Sequence, residues 1–254
     1  MRILTLVKRV PATGGRIALN PDDRTIDTAY LGFVVSPHEE CAVEEAVRLA
    51  ELHGGETVVM TLGPAEAADQ LRDAVAIGIG RAVHLETDGG DWDPIATSTA
   101  ITDAIRVLEA ADGPFDLILV GNESADSGGY QVGIRIATAL DRPCVNGVKA
   151  LEVAAGVATA RRQATDGWEV FELPLPAVIG VREGINLPRY PSVPGRLRAK
   201  KKEIDRMEPA HRPASPELIR LALPVEQEQT AEILGTGPEA APRVVEVLRE
   251  LGVL

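Results

Sequence analysis

The hydrophobic positions of this chain fall into short continuous apolar runs, separated by stretches in which apolar residues recur every three or four positions. Runs of the first kind suit strands buried on both faces of a sheet, and stretches of the second kind suit helices that lay one face upon it. Arg2-Ile-Leu-Thr-Leu-Val7 predicts a first buried strand, ended by Lys8-Arg9-Val10-Pro11 and a Gly14-Gly15 loop. No regular pattern follows until Ser36-Pro37-His38-Glu39, a capping box with proline at the first helical position. There the Ser36 hydroxyl can accept a backbone N–H and the Glu39 carboxylate can reach back to the cap. A helix over 37–53 should follow, stopped by Gly54-Gly55, with Val43, Ala46, Val47 and Ala50 inward and Glu44, Glu45, Arg48 and Glu51 in solvent.

Thr57 to Leu62 reads as a second strand, 66–78 as a helix with Leu71, Ala74 and Val75 inward, and Ala82 to Leu85 as a third strand. Asp93-Pro94 opens another helix by the same capping logic, running to Ala111, and Phe115 to Val120 is a fourth apolar strand. This alternation predicts an α/β fold built on a doubly wound, mostly parallel sheet of Rossmann-like type. After Leu140 the period changes: Val157 to Gln163 and Trp168 to Leu173 alternate about Thr165-Asp166-Gly167, a β-hairpin signal, and Ala177 to Val181 is one more strand. Beyond Arg182, prolines at 188, 191, 194, 209, 213, 216 and 224 argue against long regular elements, so 183–237 is expected as an extended arm. A terminal amphipathic helix over 238–251 should carry Val244, Val247, Leu248 and Leu251 as one apolar stripe, which a second chain could cover. The expected division is an α/β domain over 1–205 and a C-terminal arm with its helix over 206–254.

Composition adds modest constraints. An aromatic content of 3% leaves a core of small and β-branched side chains, which suits helices packed on a parallel sheet. A net charge of −12 argues against a nucleic-acid partner, since phosphate neutralisation needs a Lys/Arg excess. No run approaches about 18 apolar residues, and Met1 to Lys8 is too short and too soon charged for a signal segment. Cys41 and Cys144 are far apart and lack ligand spacing, which fits a reducing compartment, and a bacterial cytoplasm is expected.

Candidate chemistry concentrates in one turn. Gly121-Asn-Glu-Ser-Ala-Asp126-Ser-Gly128-Gly129-Tyr-Gln-Val-Gly133 joins the fourth strand to a helix over 130–140. In open α/β sheets ligands bind at the carboxyl ends of strands, where glycines let backbone N–H groups approach a phosphate. The expected ligand is a nucleotide or dinucleotide, with Ser124, Asp126 and Ser127 able to add hydrogen bonds. The spacing is neither GxGxxG nor a P-loop, and the same glycines would also serve a bare turn. His38, His53, His84 and His211 share no ligand spacing, and the acidic run Glu39, Glu40, Glu44 and Glu45 reads as a response to the helix dipole. Catalytic constellations are lacking, so any redox chemistry must come from a bound cofactor. Arg196, Arg198 and Lys200-Lys201-Lys202 form a basic cluster that reads either as a solvated turn or as a docking point for acidic partner surfaces.

The residues resemble one known family over nearly the whole chain, the electron transfer flavoprotein beta subunits. Leu6-Val-Lys-Arg-Val-Pro11, Ala42-Val-Glu-Glu-Ala-Val47, and Gly63-Pro64 through Ala76-Ile-Gly78 carry it, with Gly121 to Asp126 and the hairpin leading into Leu175-Pro-Ala-Val178. The most specific piece is Gly184-Ile-Asn-Leu-Pro-Arg-Tyr-Pro-Ser192, followed by Ala199-Lys-Lys-Lys202. The resemblance implies a sheet of the adenine-nucleotide alpha-hydrolase-like type and a heterodimer with an alpha subunit that holds a redox-active FAD. It implies a structural AMP in this chain, or a second FAD in the electron-bifurcating branch. It further implies electron transfer from flavin dehydrogenases, such as the acyl-CoA dehydrogenases of fatty acid β-oxidation, to a membrane quinone oxidoreductase or another acceptor. By position, the nucleotide would meet Leu6, Ser36, Pro37, His38, Glu39, Leu62, Gly121, Asn122, Glu123, Ser124, Ala125, Asp126, Ser127, Gly128, Gly129, Tyr130, Gln131 and Val132. Tyr190, Pro191, Ser192, Val193, Pro194, Gly195, Arg196 and Leu197 match the family's recognition loop, with Val193 as its apolar anchor.

Departures from the family pattern bear on partner choice. Thr165 stands where the hairpin usually has an acid, Gln163 where relatives have Glu, and Thr13 and His38 where aromatics approach the flavin. Gln131-Val-Gly133 looks like bifurcating members, whereas Asn122-Glu123 looks like ordinary actinobacterial ones. Two other classes share the βαβ order. A universal-stress-type nucleotide module would lack the proline-rich arm and the Lys200 to Lys202 segment, and an adenylating enzyme would need a Ser-Gly-Gly turn where Lys8 to Pro11 stands.

Overall fold

The computed structural model of the chain describes residues 1–12, 14, 17–90, 92–210, 218–223 and 231–254. Thr13, Gly15, His211 and the prolines at 213, 216 and 224 lie outside the described residues. Strand β1 (Arg2–Leu6) leads through a small two-stranded sheet, β2 (Val10–Pro11) against β3 (Phe33–Val34), to helix α1 (Pro37–His53). Then follow β4 (Glu56–Gly63), α2 (Ala68–Ile77), β5 (Arg81–Glu86), α3 (Pro94–Asp112), β6 (Leu117–Gly121) and α4 (Val132–Ala139). The second half holds β7 (Cys144–Ala154), β8 (Val157–Ala164), β9 (Gly167–Pro174), β10 (Ala177–Val181), α5 (Val193–Lys201), β11 (Asp205–Met207) and α6 (Ala241–Glu250).

The main sheet has the order β11-β5-β4-β1-β6-β10-β7-β8-β9. Every pair from β11 to β7 is parallel, and only the β7-β8-β9 meander is antiparallel. One core lies between this sheet and α1 and α2, built on Ile3, Val59, Leu119, Val43, Val47 and Leu71. The other lies beneath α3 and α4, built on Leu4, Met60, Ile118, Ile101, Ile105 and Ile136. Burial on both faces explains the unbroken apolar runs of β1, β4 and β6. The chain builds outward from β1 through β4 to β5, then returns by α3 to β6 on the other side of β1. Between β1 and β6 the winding therefore reverses, the point at which open α/β sheets leave a crevice at their carboxyl edge.

The predicted βα units and the hairpin match these elements, and several expectations are corrected. Glu44 and Glu45, assigned to solvent, are each 4% exposed, because residues 183–189 lie along α1 and cover them. Ala50, assigned to the core, is only half-buried, whereas Val75 packs against the core as expected though it is partly exposed. The stretch from 183 to 207 is not an arm: Val193–Lys201 is helical against α2, and Asp205–Met207 adds a parallel edge strand to β5. Strand β7 was hidden because Asn146-Gly147 interrupts its alternation, with Gly147 at φ 75 and the register shifting before Ala150. The terminal helix forms as expected from 241, after one 3-10 turn over Pro238–Ala240. Its stripe is only partly covered among the described residues, with Val244 41% and Leu251 69% exposed and Val247 and Leu248 half-buried.

Candidate functional site

The crevice at the switch point is built from the ends of β1 and β6 and the start of α1. Helix α1 approaches β6 closely because residue 121 has no side chain: a Cβ on Gly121 would lie 2.5 Å from Glu39 Cγ and 3.3 Å from the Glu39 backbone nitrogen. Helix α4 approaches for the same reason, since a Cβ on Gly133 would meet Val120 Cγ2 at 2.7 Å. The turn between β6 and α4 is tied down on three sides. The Ala125 N–H donates to the fully buried Ser36 hydroxyl at 3.0 Å, the Asn122 N–H donates to the Val181 carbonyl at 2.9 Å, and Lys8 pairs with Asp126 at 2.7 Å. Inside the turn, Gly128 donates to the Ser124 carbonyl and the Ser124 and Ser127 hydroxyls lie 2.8 Å apart.

Helix α4 begins without a side-chain cap. Gln131, at its cap position, turns its carbonyl to Arg135 instead, at 3.0 Å. Uncapped first-turn N–H groups and the positive end of the helix dipole form an anion site. Tyr130, just before the helix, is held at φ 55, a left-handed conformation that costs a bulky residue energy and that recurs at ligand-binding turns.

Two titratable groups at the start of α1 differ in character. Glu39 accepts the Ser36 N–H at 3.2 Å, completing its half of the capping box. Burial pushes its carboxyl up to about 8, against the opposing pull of the Lys8 and Ser36 backbone amides. His38 accepts the Glu183 N–H on Nδ1 at 2.8 Å, which leaves the proton on Nε2, 3.3 Å from the Glu123 carboxylate. Both imidazole nitrogens are thus engaged, and the ring joins the turn to the segment after β10. On Asp126, burial pulls upward, but the Lys8 ammonium together with hydrogen bonds from Ser124 and the Ser127 N–H outweighs it and holds the carboxyl below the usual range. Leu6, 6% exposed, and half-buried Leu62 stand at the neighbouring ends of β1 and β4.

These residues fit a nucleotide. Free backbone N–H groups and the Ser124 and Ser127 hydroxyls suit phosphate and sugar oxygens, Lys8 offsets the acids of the turn, and leucines suit a base. Among the described residues no group of three His, Cys, Asp or Glu could hold a metal ion. No described helix is long and apolar enough to cross a membrane.

The structure brings Leu6, residues 36–39 and the turn at 121–132 together, but places Tyr190–Leu197 elsewhere, on α2. Ser192 caps α5 by accepting the Gly195 N–H at 3.1 Å, and a Cβ on Gly195 would collide with the Ala76 carbonyl oxygen, so α5 rests directly on the last turn of α2. Tyr190, Val193 and Leu197 project, 96%, 72% and 57% exposed, and Arg196, Arg198 and Lys200–Lys202 are exposed beside them. Sequence reasoning missed Asn186 and Arg189 with their partners on α1. No periodic signal marks them, because acids at 44 and 45 read as a solvent face until another segment covers them.

Fold and site together define a doubly wound α/β protein with a glycine-rich turn at its switch point and an exposed helix at its C-terminal end. The sequence pattern of the electron transfer flavoprotein domain matches residues 23–212. The electron transfer flavoprotein subunit beta of Bacillus subtilis (strain 168) is 34% identical over 98% of both chains. That of Syntrophomonas wolfei is 35% identical over 88% of this chain and 86% of its own, and that of Mycobacterium leprae 36% over 80% and 77%. The chain belongs to the family of electron transfer flavoprotein beta subunits.

Proposed function

We propose that this chain is the nucleotide-holding half of a heterodimeric electron carrier, paired with an alpha subunit that holds most of a redox-active FAD. The single observation that carries the reading is the uncapped start of α4 after a glycine turn at the switch point, with Lys8 and two serine hydroxyls facing the same turn. The nucleotide is AMP, meeting the residues named for it above, with phosphate at the 124–132 turn and the base towards Leu6 and Leu62. FAD supplies the redox chemistry when bound, and the residues of this chain position and exclude water. Tyr190–Leu197 is the recognition segment for flavin dehydrogenases such as acyl-CoA dehydrogenases, and the partly covered α6 stripe packs on the alpha subunit. A quinone oxidoreductase or similar acceptor and a cytoplasmic location complete the reading. A second reading, a bifurcating carrier with FAD in place of AMP, is favoured only by Gln131-Val-Gly133. Acid extraction of the purified heterodimer separates them: one FAD with one AMP is expected, two FAD would favour the second reading, and one FAD without any nucleotide would overturn the site.

A further inference from the structure

Residues 183–189 run along α1 with a tie at every turn of the helix. The Glu183 N–H donates to His38, Asn186 Nδ2 donates to both the Cys41 carbonyl and the Glu45 carboxylate at 2.9 Å, and Arg189 reaches Glu44 and Glu51. The last tie is the strongest. Both Glu44 oxygens take guanidinium N–H groups at 2.9 to 3.1 Å, and one also accepts the Arg189 backbone N–H at 3.1 Å. The Glu44 side chain is 5% exposed, so its charge is balanced inside the protein rather than by water. The hydrogen bonds of Glu51 and Glu44 hold the guanidinium well above its ordinary pKa. Beyond Arg189 the chain is fixed again at Gly195, seated on Ala76. Tyr190 and Val193 therefore project from a short bridge clamped at both ends.

We propose that 183–189 is a strap that sets where the recognition segment stands, and that Glu44 is its positioning residue. The proposal rests on the reading of Tyr190–Leu197 as the dehydrogenase contact. Exposed Glu51–Arg189 pairing alone would not suffice, because surface ion pairs hold side chains weakly. A buried, bidentate Glu44 gives the direction that such a pair lacks. Preorganising an exposed apolar anchor lowers the ordering cost of a transient contact, which appears in the affinity for the partner and not in electron transfer once docked.

The test uses the heterodimer, with an acyl-CoA dehydrogenase and its acyl-CoA as electron donor. Glu44→Gln should raise the KM for the heterodimer about tenfold with kcat, bound nucleotide and the flavin spectrum unchanged. Hydrogen exchange over Tyr190–Leu197 should quicken, while α3 and β6 stay protected. Arg189→Lys, which keeps the charge but loses the fork, should fall between wild type and Glu44→Gln, and Glu51→Gln should stay near wild type. Val193→Ala separates the failures. If Val193→Ala raises KM and Glu44→Gln does not, the strap is refuted alone; if neither does, or the wild type takes no electrons from the dehydrogenase, the recognition reading fails with it. A parallel fall in kcat for Glu44→Gln also overturns the positioning role.

Discussion

Gly121 and Glu39 touch at the point where the crevice opens: there is no space between the Gly121 Cα and the Glu39 side chain for another carbon. The contact joins the end of β6 to the first turn of α1, two elements separated by the whole β4-α2-β5-α3 excursion. Gly121→Ala must move the start of α1, since the Glu39 backbone nitrogen and His38 Cβ stand 3.3 and 3.4 Å from the added methyl group. We expect a loss of about 1 to 3 kcal/mol of stability, typical of overpacking a close contact. We also expect loss of retained nucleotide, because Ser36 and Ala125 would separate. Denaturant unfolding and nucleotide extraction measure the two, and a variant with wild-type values for both would show that α1 does not define the crevice.

Glu39 also makes stability depend on pH. Its folded pKa of about 8 lies above the ordinary 4.5, so the protonated form is favoured in the folded protein. That contribution is complete below about pH 4.5 and is lost as pH rises through 8. Glu40, Glu45 and Asp73, all raised first by burial, act in the same direction, while Asp126, held low against its burial by Lys8, Ser124 and the Ser127 N–H, acts in the opposite one. Glu39→Gln should therefore match wild type near about pH 5 and exceed it by a growing margin towards about pH 9, by as much as a few kcal/mol. Denaturant unfolding across that range measures the margin. A constant difference between the two proteins would contradict the assignment.

How far the sequence foretells these arrangements depends on the kind of interaction. Elements fixed by local pattern were legible: the Ser36-Pro37 and Asp93-Pro94 caps mark the true starts of α1 and α3, and the apolar runs mark β1, β4 and β6. The turn at 121–132 was legible because its glycines follow a buried strand. What stayed hidden depends on contacts between distant segments. Glu44 and Glu45 look like a solvent face until Arg189 and Asn186 arrive from 145 and 141 residues away. Short α5 is masked by Pro191 and Pro194, though Pro194 sits within its first turn, where a missing N–H costs nothing. Strand β11 has three residues, fewer than a periodicity can mark.

Gly195 is the second fixed point of the proposed recognition segment. Its absent Cβ lets α5 lie on the Ala76 carbonyl, and no flexible side chain on α2 can yield at that contact. Gly195→Ala should lift the first turn of α5 at a cost of about 1 to 3 kcal/mol. Most of the sheet lies away from that contact, so nucleotide retention should not change. Hydrogen exchange would show the change as faster exchange confined to α5 and the adjoining end of α2. Faster exchange throughout the α1 and α2 core would mean that α5 supports the sheet rather than the segment it begins.

Removing helix α6 should have little effect on this chain and a large effect on its proposed assembly with an alpha subunit. Val244 and Leu251 are exposed and Val247 and Leu248 half-buried, so this stripe is only partly covered among the described residues. Truncation before Pro238 should therefore change the unfolding free energy of the isolated chain by no more than about 0.5 kcal/mol, as for surface changes generally. In the heterodimer the same residues would each gain on the order of 1.5 to 3 kcal/mol by burial, reduced by the cost of ordering the segment that carries them. We expect the truncated chain to bind the alpha subunit at least about tenfold more weakly, a difference of roughly 1.4 kcal/mol, by titration of one subunit with the other. Equal affinity for the two forms would show that α6 is not part of the subunit contact. A large loss of stability in the isolated truncated chain would show instead that the stripe is covered within this polypeptide.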